Sequence, residues 1–303
     1  MKTPALALRP AQRKRIRHER LVALAFIAPH LLGMLVFLFI PIIAAFALAG
    51  TDWEPLRDAN FVGLDNFRQL FADRNFGQVM INTLVYAGAL IPLSIGMGLL
   101  CAVVLNRKMP GIKFLRGVLL MPMIVTATAV GLIWRWIFQS DGLANTLLAT
   151  VGIQGPNWLV DRNWAMVALI IVSVWQGFGI NMIIFLAGLK NIPTHLYEAA
   201  KLDGAGPIRQ FRHITLPMLS PTTFLVLVLT VIGSFQAFDQ VLLLTAGGPG
   251  VSTTTMVLFI YQEGFQAFRQ GYAAAASLVL LALILAFTLF QMKLQRRWVH
   301  YDD

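Results

Sequence analysis

The sequence is poor in cysteine, in charge and in nucleotide-binding motifs. Cys101 is the one cysteine among 303 residues, so no disulfide can form within the chain, and a packing role is expected for it. Charged residues make up 13% of the chain, about half the share that soluble globular domains carry, which excludes that class. No GxxxxGK[ST] stretch is present. The chain therefore does not hydrolyse ATP by itself through a P-loop.

Apolar residues replace the missing charge. They make up 57% of the sequence, and the mean hydropathy is +0.70, which indicates an all-α protein that crosses a membrane several times. A helix needs about 20 apolar residues to span the hydrocarbon core of a bilayer. The sequence predicts six such helices, at residues 21–49, 79–105, 115–138, 164–190, 218–246 and 272–294.

The distribution of basic residues predicts which side of the membrane each loop occupies. Of the 24 Lys and Arg residues, 18 lie in the N-terminal tail, the 106–116 loop, the 190–217 loop and the C-terminal tail. Basic loops face the cytoplasm. Both termini are therefore predicted to be cytoplasmic, and the net charge of +10 is assigned to membrane topology and not to nucleic-acid binding.

This topology divides the chain into four parts. Residues 1–20 form a basic cytoplasmic tail, and residues 21–78 hold the first span and an external loop with a short amphipathic helix. Residues 79–294 form a core of five helices, and residues 295–303 form a cytoplasmic tail. A cleaved signal peptide is the alternative for the N-terminus, but the apolar run from residue 21 is longer than such peptides carry.

The outer loops and the fifth span carry further expectations. External loops are predicted at residues 50–78, 139–163 and 247–271. Because residues 218–246 exceed what a straight crossing needs, the fifth span is expected to tilt, to project outward or to kink near Pro221 or Gly233.

A polar stretch, EAAKLDGAGPIRQFRHITLP at residues 198–217, lies between the fourth and fifth apolar spans. A short helix is predicted to begin at Pro193 or Thr194 and to end at Gly204, and a second helix to open at Gly206-Pro207. Two adjacent alanines let another surface approach the first helix closely. The stretch is thus predicted to be a helix–turn–helix knob that docks into a groove.

The spacing of this stretch resembles the EAA loop of permease subunits of bacterial ABC importers. Glu198, Ala199 and Ala200 are followed after three residues by Gly204, and after nine more by Ile214, Leu216 and Pro217. The resemblance implies a MetI-like fold and a cytoplasmic loop that inserts into a cleft of the ATPase subunit. It assigns coupling to the ATPase to Glu198, Ala199, Ala200, Asp203, Gly204, Ile214, Leu216 and Pro217.

Two further segments, residues 120–145 and 235–280, resemble the permeases of carbohydrate importers such as the maltose and glycerol-3-phosphate systems. This resemblance implies a subunit of a binding-protein-dependent importer in a bacterial inner membrane. The implied partners are a second permease, homologous but not identical, two ATPase subunits, an extracytoplasmic solute-binding protein and the lipid bilayer. ATP and magnesium would be held by the ATPase, so no cofactor is assigned to this chain.

Polar side chains within the predicted spans are the candidates for a substrate path. They are Trp175, Gln176, Asn181, Gln236 and Asp239. Aromatic faces and side-chain amides suit sugars, and polar groups at membrane depth face a cavity or a neighbouring helix. Hydrogen bonds that pack the helices together are the alternative interpretation for each of these residues.

Arg135 and Asp239 form a second hypothesis. At 1.5 Å per residue, they lie about 30 Å and about 32 Å from the cytoplasmic ends of the third and fifth spans. They are expected either to pair or to face one external vestibule. Separate contacts of each with the membrane interface are the alternative.

Two other classes of protein are weighed against a permease. A secondary carrier uses several buried ionisable groups, whereas Asp239 is the one acid well inside a predicted span. A membrane enzyme needs a catalytic constellation, and none is found. His195 and Glu198 have a spacing seen in metal sites, but no further ligand accompanies them, so no metal site is predicted.

Overall fold

The structure is a computed structural model that describes residues 10–55, 57–107 and 109–296. The predicted tails are only partly covered, because residues 1–9 and 297–303 lie outside the described residues. A helix already begins at Pro10, so the second half of the predicted N-terminal tail is helical. Within the described residues, β-bridge pairing is limited to one isolated bridge, between Thr51 and Phe61.

Fifteen α-helices follow one another in the described part of the chain. They are α1 (Pro10–Met34), α2 (Ile40–Ala49), α3 (Asp65–Ala72), α4 (Arg74–Leu105), α5 (Ile112–Ile124), α6 (Ala127–Ile137), α7 (Leu143–Thr150), α8 (Arg162–Asn191), α9 (Thr194–Leu202), α10 (Pro207–Gln210), α11 (Leu216–Met218), α12 (Ser220–Phe235), α13 (Asp239–Leu244), α14 (Met256–Tyr261) and α15 (Gln270–Gln295). Wider π-helical turns join α1 to α2 and α10 to α11, and a third follows α14.

Four unbroken helical stretches are long and apolar enough to cross a membrane: Leu21–Ala49, Arg74–Leu105, Arg162–Asn191 and Gln270–Gln295. Two of them begin at an aspartate that caps the helix. The side chain of Asp73 accepts a hydrogen bond from the backbone N–H of Asn75 (2.8 Å), and Asp161 accepts one from Asn163 (2.8 Å). Such caps satisfy N–H groups that have no partner within the helix. Two bent helix pairs bring the number of spans to six if each pair is counted as one crossing.

The third predicted span, residues 115–138, is not one straight helix. It consists of α5 and α6, which meet at an angle of 96°. Pro122 lies in the last turn of α5, and Val125 is extended. Thr126 then begins α6, where its side chain accepts from the N–H of Ala129 (3.4 Å). A proline followed by an N-capping threonine predicts a helix boundary. The predicted span at residues 115–138 did not take this boundary into account.

The fifth predicted span, residues 218–246, is also broken. A bend of 65° at Leu219 separates the 207–218 segment from α12, close to the kink expected at Pro221. The helix then ends at Phe235, and α13 starts separately at Asp239. Neither proline nor glycine occurs between residues 234 and 246, so no local residue signal marks this second break.

The predicted third external loop, residues 247–271, is largely buried and partly helical. Thr253, Thr254 and Thr255 are at most 2% exposed. The loop is fixed to α4, because the side-chain amide of Asn82 donates to the carbonyl oxygen of Val251 (2.6 Å). Buried threonines keep their hydroxyl groups paired, as a dry interior requires. The sequence predicted an external loop here and did not indicate that the TTT segment is buried.

The core forms around α8, which packs along α4 and against α5 and α12. The first span lies at the edge of this core. It contacts α15 through α2, where Ala49 packs with Ala274 and Ala275, and a Cβ on Gly271 would lie 1.9 Å from the carbonyl oxygen of Thr51. Most of the other large apolar side chains of this span are exposed, as is Phe26 (83% exposed).

Candidate functional site

A cavity of about 400 Å³, lined by apolar and polar side chains, lies where α4, α5, α8, α12 and α13 converge. Its polar lining consists of hydroxyl and amide side chains together with one carboxylate, that of Asp239. Four of the five predicted path residues line it: Gln176, Asn181, Gln236 and Asp239. Trp175 does not line it and instead packs edge-on against Trp134, with ring centroids 5.4 Å apart.

Asn181 joins three helices at the buried side of the cavity. It is 3% exposed, and its Nδ2 donates to the Oγ of Ser94 on α4 (3.0 Å). Its Oδ1 accepts from the hydroxyl of Thr230 on α12 (3.3 Å). Sequence reasoning did not include Ser94 and Thr230, although a hydroxyl residue within an apolar span is the available signal for such a contact.

Gln176 lies at the opposite side, beside the break in the third span. Its Nε2 donates to the carbonyl oxygen of Val125 (3.4 Å), one of the backbone groups freed where α5 ends. Its Oε1 accepts from the Nε2 of Gln240 on α13 (3.0 Å). The amide therefore bridges two helix breaks. Gln240 was also missed, because it lies within the predicted fifth span and was given no role.

Asp239 occupies the first turn of α13 and is exposed to the cavity. The ion pair predicted with Arg135 is not formed in this conformation. Ion pairs between described residues join Glu54 to Arg57, Asp65 to Arg68 and Glu263 to Arg269. The elements are nevertheless neighbours, because α6 packs on α13. The depth estimate assumed an unbroken helix up to Asp239, and the break before α13 removes that assumption.

The predicted helix–turn–helix knob is present. α9 begins at Thr194 after Pro193, and Gly204 adopts a left-handed conformation with φ of +75°. The N–H of Ala205 returns to the carbonyl oxygen of Ala200 (2.8 Å), which closes the end of the helix. α10 then starts at Pro207. These bounds agree with the prediction from the sequence.

The knob has an inner and an outer face. On the inner face, Leu196 and Tyr197 pack against the cluster at the cytoplasmic ends of α4 and α8, and the hydroxyl of Tyr197 bonds that of Thr215 (2.9 Å). On the outer face, Leu202 is 90% exposed and Ile208 is 84% exposed. Both side chains are therefore accessible to a partner. The sequence analysis did not single out these two residues.

The predicted coupling residues divide between the faces. Glu198, Ala199, Asp203, Gly204 and Leu216 are exposed, and Ala200, Ile214 and Pro217 are half-buried. Ile214 packs with the inner cluster. The first group is therefore available to a partner, and the second holds the knob against the membrane helices.

A multi-pass helical chain with a polar cavity between its spans and an exposed knob belongs to the class of membrane transport subunits. A family model described as "Binding-protein-dependent transport system inner membrane component" matches residues 94–300, more than half of the chain, and the chain belongs to this family. It is a permease subunit of an ABC importer and not an enzyme, and a separate subunit hydrolyses ATP. It acts together with a solute-binding protein, a second permease and ATPase subunits.

Curated relatives cover nearly the whole chain. The arabinooligosaccharides transport system permease protein AraP of Bacillus subtilis is 35% identical over 96% of this chain and 94% of that protein. The sn-glycerol-3-phosphate transport system permease protein UgpA of Agrobacterium fabrum is 32% identical over 93% of this chain and 97% of that protein.

A solved structure shares the fold. It is a chain of a bacterial alginate ABC transporter in complex with an alginate pentasaccharide-bound periplasmic protein, with a TM-score of 0.82. The two chains are 26% identical, and the match covers 94% of this chain and 96% of that one. The MetI-like fold expected from the sequence is thereby confirmed.

Proposed function

We propose that the chain supplies one half of the path by which a sugar or a sugar-like solute crosses a bacterial inner membrane. The observation that carries this proposal is the cavity between α4, α8 and α12, whose polar lining is mainly hydroxyl and amide groups. Such groups both donate and accept hydrogen bonds, which matches the hydroxyl-rich surface of a carbohydrate. The names of the relatives, with arabinooligosaccharides and alginate among their solutes, support the same class.

Within the cavity the polar residues have two roles. Gln176, Gln236 and Asp239 contact the solute, because they line the space and at least part of each side chain is open to it. Asn181 is hydrogen-bonded to both Ser94 and Thr230 and positions the helices. Trp175 lies outside the cavity and supports the site by packing against Trp134.

The 198–217 knob couples the cavity to ATP hydrolysis on the partner. Glu198 and Asp203 provide charged contacts, and Leu202 and Ile208 provide the apolar ones. Gly204 sets the turn between α9 and α10 with its positive φ, and Ile214, Leu216 and Pro217 connect the knob to α12. ATP and magnesium are bound by the ATPase, and this chain holds no cofactor. Closure of the ATPases moves the knob, and the bent spans convert that movement into alternating access.

Co-purification tests the coupling role. The tagged chain is isolated from solubilised membranes as the native sequence and as the Glu198→Lys and Gly204→Val variants. A β-branched residue is strained by about 1–2 kcal/mol at a left-handed position, so the turn of Gly204→Val should be displaced. Gly206→Ala is the matched control, because Gly206 has negative φ and open space around its Cβ position.

Native chain and Gly206→Ala are expected to retain the ATPase and the second permease, and both other variants to lose the ATPase. Retention of the ATPase with full coupling in Gly204→Val would contradict the role of the knob. Uptake of labelled sugars into proteoliposomes then tests the path itself. Solute movement without ATP by a chain that purifies alone would instead identify a secondary carrier.

A further inference from the structure

The lining of the cavity carries one charge. Among the described residues that form it, Asp239 is the one acidic side chain, and lysine, arginine and histidine are absent from this set. The remaining polar groups are neutral amides and hydroxyls. The charge balance of the space is therefore set by a single carboxylate on the side of this subunit.

The Asp239 carboxylate is not neutralised by its surroundings. It has no ion pair or side-chain hydrogen bond with any described residue, although Gln240, its neighbour in the chain, is bonded to Gln176. Arg135 lies on a helix that packs against α13 and still does not pair with it. A carboxylate that is both exposed to the cavity and unpaired projects its negative potential into the space that a solute must enter.

We propose that this cavity accepts neutral polyhydroxylated solutes and rejects anionic ones because the unpaired carboxylate of Asp239 repels them. This inference rests on the proposed function, since it names the substrate class of the same path. Two unit negative charges about 5–6 Å apart repel each other. At an effective dielectric constant of about 20, this repulsion weakens entry of an anionic solute about a hundredfold. Screening by salt and water reduces this to about tenfold or more.

The inference separates this chain from part of its family. Relatives are named for sn-glycerol-3-phosphate and for alginate, an acidic polysaccharide, and others for arabinooligosaccharides, which are neutral. Membership of the family therefore leaves the charge of the solute open. In this chain, the carboxylate of Asp239 decides the charge of the solute that the cavity accepts.

The potential of the cavity is measured first, in the complete importer with both permeases, the ATPases and the binding protein. Gln236→Cys, in a Cys101→Ser background, places one thiol on the cavity lining of this chain. This thiol is reacted with a cationic and with an anionic methanethiosulfonate of similar size. Each reaction rate is measured from the increase in the mass of this chain. The same pair of rates is taken after adding Asp239→Asn and, as the matched control, Asp239→Glu.

The rate ratio of cationic to anionic reagent is expected to fall about tenfold in Asp239→Asn and to remain in Asp239→Glu. An unchanged ratio in Asp239→Asn would overturn the inference. This arm requires no transport, so it decides the charge proposal even if the proposed function fails.

ATP-dependent uptake is measured next, with cellobiose and its uronic acid analogue as matched neutral and anionic probes, normalised to the fraction of binding protein that each probe loads. The native importer is expected to discriminate against the uronate about tenfold, and Asp239→Asn to lose that discrimination. Equal uptake of both probes by the native importer would overturn the inference. If neither probe is taken up with ATP, the thiol reaction rates still decide the inference about Asp239, and the co-purification experiment decides the proposed function.

Discussion

Gly98 of α4 faces Asn181 of α8 so closely that a Cβ added to the glycine would lie 2.7 Å from the Cβ of the asparagine. The backbone of α8 is nearly as close, with the N atom of Met182 at 3.1 Å from the same position. This approach brings Asn181 within hydrogen-bonding distance of Ser94, one turn away on α4. Small residues at helix interfaces serve this purpose within membranes. The buried side of the cavity therefore depends on Gly98.

Gly98→Ala is expected to destabilise the subunit by about 1–3 kcal/mol, because overpacking at a backbone contact forces the two helices apart. Gly96→Ala is the matched control. It lies on the same helix, and nothing lies within 4 Å of its Cβ position. The measurement is the thermal unfolding midpoint of the purified complex in detergent. Equal midpoints for the two variants would show that the α4–α8 contact tolerates an extra carbon.

The Asn181–Ser94 hydrogen bond is expected to act as a packing contact. Asn181→Leu and Ser94→Ala should each lower stability, and the double variant should lose less than the sum of the two, by about 0.6–2 kcal/mol. A double-mutant cycle of unfolding free energies measures this coupling. If Asn181→Leu leaves the unfolding midpoint unchanged and abolishes solute affinity, Asn181 belongs to the solute contacts instead.

Thr83 holds the buried segment that follows α13. Its hydroxyl accepts a hydrogen bond from the N–H of Met256 over 3.0 Å, and the residue is 0% exposed. Thr83→Val keeps the volume and leaves that buried N–H unsatisfied, at an expected cost of about 1–3 kcal/mol. Hydrogen exchange of the Met256 amide should accelerate in the same variant.

Thr288→Val is the control for this prediction. The hydroxyl of Thr288 bonds the carbonyl oxygen of Ile284 within α15 (2.8 Å), so its loss leaves no tertiary donor unpaired. The control is expected to unfold near the native midpoint. A similar loss of stability in both variants would argue that the hydroxyl of Thr83 has no special role.

Leu202 is expected to contribute to ATPase affinity and not to the fold of the subunit. Leu202 is 90% exposed in the isolated chain. Burial of a leucine side chain at an interface stabilises the complex by about 1.5–3 kcal/mol. Leu202→Ser should weaken binding of the ATPase about tenfold or more, with an unchanged unfolding midpoint of the permease. Leu202→Met, which keeps the apolar surface, should retain the native affinity in the same titration.

Several local features followed directly from the sequence. The start of α9 after Pro193, the turn at Gly204 and the start of α10 at Pro207 agree with the structure, because proline and glycine restrict the backbone wherever they occur. Polar side chains within apolar spans predicted the cavity residues Gln176, Asn181, Gln236 and Asp239. Their roles in solute binding and the coupling role of the knob remain predictions.

Other features did not follow from the sequence. The 96° bend at Val125, the end of α12 at Phe235 and the burial of Thr253–Thr255 were all missed. In each case the local sequence is compatible with a straight span or with a loop. Contacts with residues far away in the chain decide which of the two forms. Asn82 and Thr83 provide those partners for the threonine segment, from more than 160 residues away in the chain.

The sequence by itself determined the class of protein, the approximate positions of its apolar segments and the knob, because composition, charge distribution and the proline and glycine positions act locally. The tertiary structure decided which polar groups share one cavity. It paired Asn181 with Ser94, left Asp239 unpaired beside the helix that carries Arg135, and brought Gln176 to Gln240 across two helix breaks. These relationships arise from how the bent helices pack in three dimensions, and no local pattern encodes them.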